Sequence, residues 1–216
     1  MDLRAIFFDL DGTLVDSESE IIRSALVAFG NVGGPELAYA DIKPHMGCPL
    51  SELYDRFIGD GDAERAERFV ESYRAAYEHD PGPEILFTNA LQVVADFAKR
   101  YPLAVATTKP TDAARRIIES VGLAPYFKIV RGADDLPPKP DPAILIFLCE
   151  ALGFEPDQVV MVGDTGTDIG AAKAAGIKVV GVTYGGWGRK RLKALEPDAL
   201  IDGLDELPAL MERFVA

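Results

Sequence analysis

Cysteine is nearly missing from this sequence: Cys48 and Cys149 stand far apart, with no histidine cluster beside either. That excludes a disulfide framework and a zinc site of closely spaced ligands, and it points to a reducing compartment. Basic residues are also in short supply. Lys and Arg number 22 against 35 Asp and Glu, a formal net charge of −13, so the surface as a whole repels a nucleic-acid backbone or an anionic membrane. No nucleic-acid or membrane partner is expected. Long hydrophobic runs are lacking too, and none could span a bilayer. The first apolar run, Ala5 to Leu10, contains Asp9 and is too short and too early for a secretory signal; a cytoplasmic location is the expectation. No internal repeat or low-complexity tract is present. The negative field would also oppose a phosphorylated ligand, so any anion site has to be built locally from cations, backbone N–H groups or a metal.

What the 216 residues do contain is a hydrophobic fraction of 48%, enough for a full core and too much for a disordered chain. Compact apolar runs that stop at polar residues read as buried parallel strands: Arg4 to Phe8, Leu103 to Ala106, Lys128 to Val130, Val159 to Val162 and Lys178 to Val182. Amphipathic stretches of helical length alternate with them, at Ala90 to Arg100, Asp112 to Val121, Pro142 to Leu152 and Thr167 to Ala175. Alternation of this kind predicts an α/β fold around a mainly parallel sheet. From Ser17 to His79 the alternation stops. Glu18 to Phe29, Ser51 to Ile58 and Ala63 to Glu78 all carry helical periodicity, with a loop at Gly30 to Pro35 and a return linker at Asp80 to Pro83. An all-helical insertion, 15–83, between a core of 1–14 and 84–216 is the expected organisation.

In an open parallel sheet, ligands bind beyond the carboxyl ends of the strands, where loops and helix N-termini expose unpaired N–H groups. Asp9 and Asp11 end the first run. Two carboxylates two residues apart leave an extended segment on the same side, and Gly12 lets the backbone turn tightly after them. An isolated Asp-x-Asp would be an acidic turn, but the continuation Gly12-Thr13-Leu14-Val15-Asp16 is far more specific. Asp164, with Asp168 four residues on, ends another run and opens a helix. A helix cap explains one of these carboxylates. A second acidic cluster at the same sheet edge calls for a cation, and oxygen-only ligands suit magnesium. Thr107 and Thr108 end the Leu103 to Ala106 run, where a hydroxyl and N–H groups can hold phosphate oxygens. Lys139 sits in Pro137-Pro138-Lys139-Pro140-Asp141-Pro142, a stiffer frame than a solvated lysine needs.

At these residues the chain closely resembles the haloacid dehalogenase superfamily, and within it the phosphoglycolate phosphatase-like branch. Asp9-Leu10-Asp11-Gly12-Thr13-Leu14 is similar to the family's first motif, Thr107 to the second, Lys139 to the third, and Gly163-Asp164 with Asp168 to the fourth. The resemblance covers nearly the whole chain. It implies a Rossmann-like parallel sheet sandwiched by helices, with the helical insertion after the first strand acting as a cap that closes during the reaction and selects the substrate.

The resemblance also implies roles. Asp9 would attack phosphorus and become an aspartyl-phosphate, and Asp11 would serve as acid and then base. Mg2+ would be held by Asp9, the backbone carbonyl of Asp11 and Asp164, with Asp168 binding it directly or through water. Thr107, the Thr108 N–H and Lys139 would hold the phosphoryl oxygens. The loop His45-Met46-Gly47-Cys48-Pro49-Leu50 resembles the family's substrate-facing loop, which makes Lys43, His45 and Arg56 candidates for a substrate's second anionic group; ordinary surface charge accounts for each of them equally well. Thr107-Thr108-Lys109-Pro110 and Thr183-Tyr184-Gly185-Gly186-Trp187-Gly188 look more like phosphoglycolate phosphatases than like mutases or nucleotidases. The expected activity is hydrolysis of a small phosphorylated metabolite such as 2-phosphoglycolate, by a monomer or homodimer. Nucleoside monophosphates, sugar phosphates and phosphomutase chemistry are the alternatives, and a phosphoacceptor signalling domain is the alternative outside enzymes.

Overall fold

The computed structural model of the protein describes residues 1–79 and 85–215. They form β1 (Ala5–Phe8), β2 (Val15–Asp16), α1 (Glu18–Asn31), α2 (Tyr39–Ile42), α3 (Leu50–Phe57), α4 (Ala63–His79), β3 (Ile85–Leu86), α5 (Ala90–Ala98), β4 (Leu103–Ala106), α6 (Thr111–Ser120), β5 (Phe127–Arg131), α7 (Ala143–Leu152), β6 (Val159–Gly163), α8 (Gly166–Ala175), β7 (Lys178–Val182), α9 (Gly188–Lys193), β8 (Ala199–Ile201) and α10 (Leu207–Val215). The chain divides into two compact units, Met1–Asp16 with Glu84–Ala216, and Ser17–Pro83.

The first unit is built on a six-stranded sheet in the order β5-β4-β1-β6-β7-β8, with every neighbouring pair parallel. Its central strands read as unbroken apolar runs because both faces are covered. Phe7, Ala104 and Met161 pack with Ile144, Leu145 and Leu148 of α7 and Ile169 and Ala172 of α8. The alternate residues Ile6, Phe8, Val105 and Val162 are fully buried as well.

The division falls at Ser17 rather than at residue 15, since Val15 and Asp16 pair antiparallel with Leu86 and Ile85 in a two-residue ribbon. The second unit is all helical, as expected. Ile22, Ala25 and Phe29 of α1 share its core with Tyr54 and Phe69, the Phe29 and Phe69 ring centroids lying 4.6 Å apart. Helix α1 continues to Asn31, so the loop expected from Gly30 starts later, and the short α2 was not anticipated. The return linker expected at Asp80 to Pro83 lies outside the described residues.

The sheet ladder runs one residue past the strands at their carboxyl ends. The Asp9 N–H donates to the Val162 carbonyl at 2.9 Å and the Thr107 N–H to that of Arg131 at 3.1 Å. Both side chains are therefore set by sheet geometry rather than by a loose loop. Because β4, β1 and β6 are adjacent and parallel, the residues that follow them emerge at one edge.

Candidate active site

Asp9 follows β1, and Asp164 and Asp168 follow β6, where α8 begins. All three carboxylates are buried, and each offers an oxygen such that the three lie within 4.8 Å of one another, an arrangement that can hold a metal ion. Close approach depends on glycine. Gly12 has φ +81°, and a Cβ built on it would lie 2.2 Å from Asp164 Oδ2. A Cβ on Gly185 would meet Asp164 Cβ at 2.4 Å, and one on Gly163 would meet Asp168 Cγ at the same distance. Three backbones therefore press on the carboxylates with no room for a side chain. Asp164 is oriented by the Gly186 N–H, 2.6 Å from Oδ2, and by the Thr13 hydroxyl, 3.3 Å from Oδ1.

Lys139 is inserted among these groups, 1% exposed. Its Nζ donates to Asp9 Oδ1 at 2.8 Å, to Asp168 Oδ1 at 2.5 Å and to the Ala106 carbonyl at 2.8 Å, which uses all three ammonium protons. The proline frame of Lys139 packs on α8, where Gly170 leaves space for Pro140: a Cβ on Gly170 would be 2.9 Å from that ring. Asp168 has both oxygens engaged. Oδ1 accepts from Lys139, and Oδ2 accepts from the Thr165 N–H at 3.0 Å and the Thr165 hydroxyl at 2.7 Å. It caps the start of α8 and braces the lysine at once.

Three buried carboxylates against one ammonium leave excess negative charge in a region of low dielectric. Burial, opposed by Lys139 and reinforced by Asp168, pushes the Asp9 carboxyl up to about 7. Burial, with the charges of Asp168 and Asp9, holds Asp164 well above the usual carboxylate range. Burial alone would lower the Lys139 ammonium, but Asp168 and Asp9 outweigh it and hold the lysine above its ordinary value. A folded-state carboxyl at about 7 against an ordinary 3.8 lends stability at low pH that is lost as pH rises through the folded value. Thermal melts in chelator should show it. Metal-free Asp9→Asn is expected to melt several degrees above the parent at about pH 8, with the gap closing toward about pH 5; a gap independent of pH would contradict this electrostatic reading.

Asp11 points to a different partner. Its Oδ2 accepts from Lys109 Nζ at 2.9 Å, and its carboxylate is not part of the metal-competent triad. Thr107 is buried, and its Oγ1 accepts the Lys109 N–H at 3.2 Å. Thr108, half-buried, follows at the same strand end.

The family of haloacid dehalogenase-like hydrolases matches residues 6–182. The chain belongs to that family. Among curated relatives, a phosphoglycolate phosphatase of Chromobacterium violaceum is 33% identical over 97% of this chain and 97% of its own length. A pyrophosphatase of Bacillus velezensis, PpaX, is 33% identical over 94% of each chain. Among solved structures, a haloacid dehalogenase-like hydrolase from Bacteroides fragilis superposes with a TM-score of 0.89 at 27% identity, over 95% of this chain and 99% of that one.

In this haloacid dehalogenase-like hydrolase the described structure brings Asp9, Lys139, Asp164 and Asp168 into one cluster, with Asp11, Thr107 and Thr108 at the same sheet edge. The other three sequence candidates lie in the helical unit and have partners there. Lys43 is paired with Glu18, which also takes a bond from Tyr39; the His45 ring meets Phe57 edge-on at 5.6 Å; and Arg56 sits 3.5 Å from Glu52. Sequence reasoning missed Lys109, Thr13, Thr165 and the Gly186 N–H. For Lys109 a signal was present, since it precedes a proline two residues after Thr107, much as Lys139 precedes Pro140.

Proposed function

We propose that the chain is a magnesium-dependent phosphatase that hydrolyses a small phosphomonoester through an aspartyl-phosphate at Asp9. The observation that carries this reading is the triad of Asp9, Asp164 and Asp168 with its oxygens within 4.8 Å of one another, braced by Lys139 and followed two residues on by Asp11. The donor set fits a hard divalent cation: the ligands are all oxygen, they are buried, and their excess charge has no sufficient protein counter-ion. Asp9, Asp164 and the Asp11 backbone carbonyl are the groups assigned to hold Mg2+. Asp168 binds the ion directly or through water while it braces Lys139. When bound, magnesium supplies positive charge that lets an anionic carboxylate approach an anionic phosphate.

Each remaining step belongs to the chain itself. An Asp9 oxygen forms a bond to phosphorus as the ester P–O bond breaks, and Asp11 gives its proton to the departing alkoxide oxygen. Lys139, Thr107 and the Thr108 N–H balance the charge on the equatorial phosphoryl oxygens. Asp11, now a carboxylate, takes a proton from the water that attacks phosphorus; inorganic phosphate leaves and Asp9 is regenerated.

The named phosphoglycolate phosphatase among the relatives supports 2-phosphoglycolate as the substrate, and the named pyrophosphatase gives inorganic pyrophosphate as the second reading. Phosphate release with Mg2+ from a panel of 2-phosphoglycolate, pyrophosphate, nucleoside monophosphates and sugar monophosphates tests both. The highest kcat/KM is expected for 2-phosphoglycolate. Pyrophosphate in the lead would transfer the assignment to the second reading, transfer of phosphate between sugar positions would mark a mutase, and a persistent phospho-Asp9 with no release would mark a signalling domain.

A further inference from the structure

We propose that Lys109 is a positioning residue for Asp11, setting the plane of its carboxyl for proton transfer to the leaving oxygen; this rests on the phosphatase reading above. The pair joins two distant segments, and both partners are largely enclosed, with side chains 12% and 16% exposed. Most surface ion pairs hold nothing in place because each long side chain must be ordered. Here both backbones are already ordered. The Lys109 N–H donates to Thr107 Oγ1 at 3.2 Å, and its carbonyl accepts the Ala133 N–H at 3.1 Å. A Cβ on Gly132 would lie 2.0 Å from that carbonyl oxygen, so the neighbouring loop is packed directly on it, and Pro110 restricts the lysine's own backbone. On the other side, the Gly12 N–H donates to the Val15 carbonyl at 2.8 Å, while Leu14 and Val15 donate to the Leu10 carbonyl at 2.9 and 3.0 Å. The tight turn that carries Asp11 is thereby closed.

A general acid contributes only when its proton lies within hydrogen-bond reach of the departing atom, and small displacements are costly. Asp11 leaves the sheet beside a glycine. An ammonium 2.9 Å from Oδ2 restricts rotation of its carboxyl. The same lysine anchors its N–H on Thr107, so the phosphoryl-binding strand end and the acid are held in one frame.

The consequence is a dependence on leaving group. Phenyl phosphate and 2,4-dinitrophenyl phosphate present the same phosphoryl group on an aryl oxygen, but phenoxide needs a proton to depart and dinitrophenoxide does not. With Mg2+, Lys109→Met is expected to lower kcat/KM for phenyl phosphate roughly tenfold or more, part of the ~10²–10⁴ that general acid catalysis supplies, and that for 2,4-dinitrophenyl phosphate by less than about threefold. Lys109→Arg, which keeps a cationic donor, is expected to recover part of the loss on phenyl phosphate. Thermal melts confirm folding, and Lys109→Gln takes the place of the Met variant if the latter does not fold. Equal losses on the two esters, or no loss on either, overturn the positioning role while leaving the phosphatase reading intact. A parent enzyme that releases phosphate from neither aryl ester, 2-phosphoglycolate nor pyrophosphate overturns that reading and the inference with it.

Discussion

Asp9→Asn should abolish turnover, a fall on the order of 10⁴-fold or more of the kind that follows loss of a covalent nucleophile, while the protein folds as before. The substitution exchanges one oxygen for an NH2 group at constant size. The amide oxygen still accepts from Lys139, which lies 2.8 Å from the native carboxylate, and the backbone N–H keeps its ladder bond to Val162. What is lost is the lone pair that would form the bond to phosphorus. Phosphate-release assays on purified variant and parent, with melts to verify folding, decide the matter; a rate near that of the parent excludes Asp9 as nucleophile. Acid quenching during turnover should also trap phosphate on residue 9 of the parent and none on the variant.

Removal of metal should have the second largest effect. Excess chelator is expected to bring phosphate release to background and added Mg2+ to restore it, because Asp9 and Asp164 repel both each other and an incoming phosphate. Asp164→Asn should raise the Mg2+ concentration needed for half-maximal rate by at least the ~10–100-fold that follows loss of a group one shell further out. It should do so without unfolding the chain, since an amide oxygen in the Oδ2 position still accepts from the Gly186 N–H and the NH2 group in the Oδ1 position can donate to the Thr13 hydroxyl. Undiminished activity in chelator would remove the metal from the mechanism.

The parallel core was legible because its strands are buried on both faces. Ala5–Phe8, Leu103–Ala106 and Val159–Gly163 are apolar at every position. The ribbon of Val15–Asp16 with Ile85–Leu86 could not be read, since two residues carry no period. The strand Ala199–Ile201 is barely longer, and its place beside β7 is decided by tertiary pairing. Helix α10 was legible in principle, with Leu207, Leu210 and Met211 buried at helical spacing. In the site, the carboxylates stood out because turns and helix caps account for some acidic residues at apolar strand ends but not for two such clusters at one sheet edge. Lys109 stood out only by its place before a proline near Thr107; its closeness to Asp11, a residue 98 positions away, is not something sequence spacing reveals. The same is true of the Gly186 N–H, a backbone donor available at any residue.

The position of β1 in the sheet has a consequence for biosynthesis. The strand that precedes Asp9 is made before both of its partners, pairing with β4 on one side and β6 on the other. Phe7 must wait for Met161 to be translated before its second edge is covered. The helical unit, by contrast, has its whole core between Ile22 and Phe69 and can consolidate on the nascent chain. Folding of the sheet is thus a late, long-range closure, and a polypeptide interrupted before Val159 would carry Asp9 beside an unpaired strand edge, a target for proteolysis and aggregation.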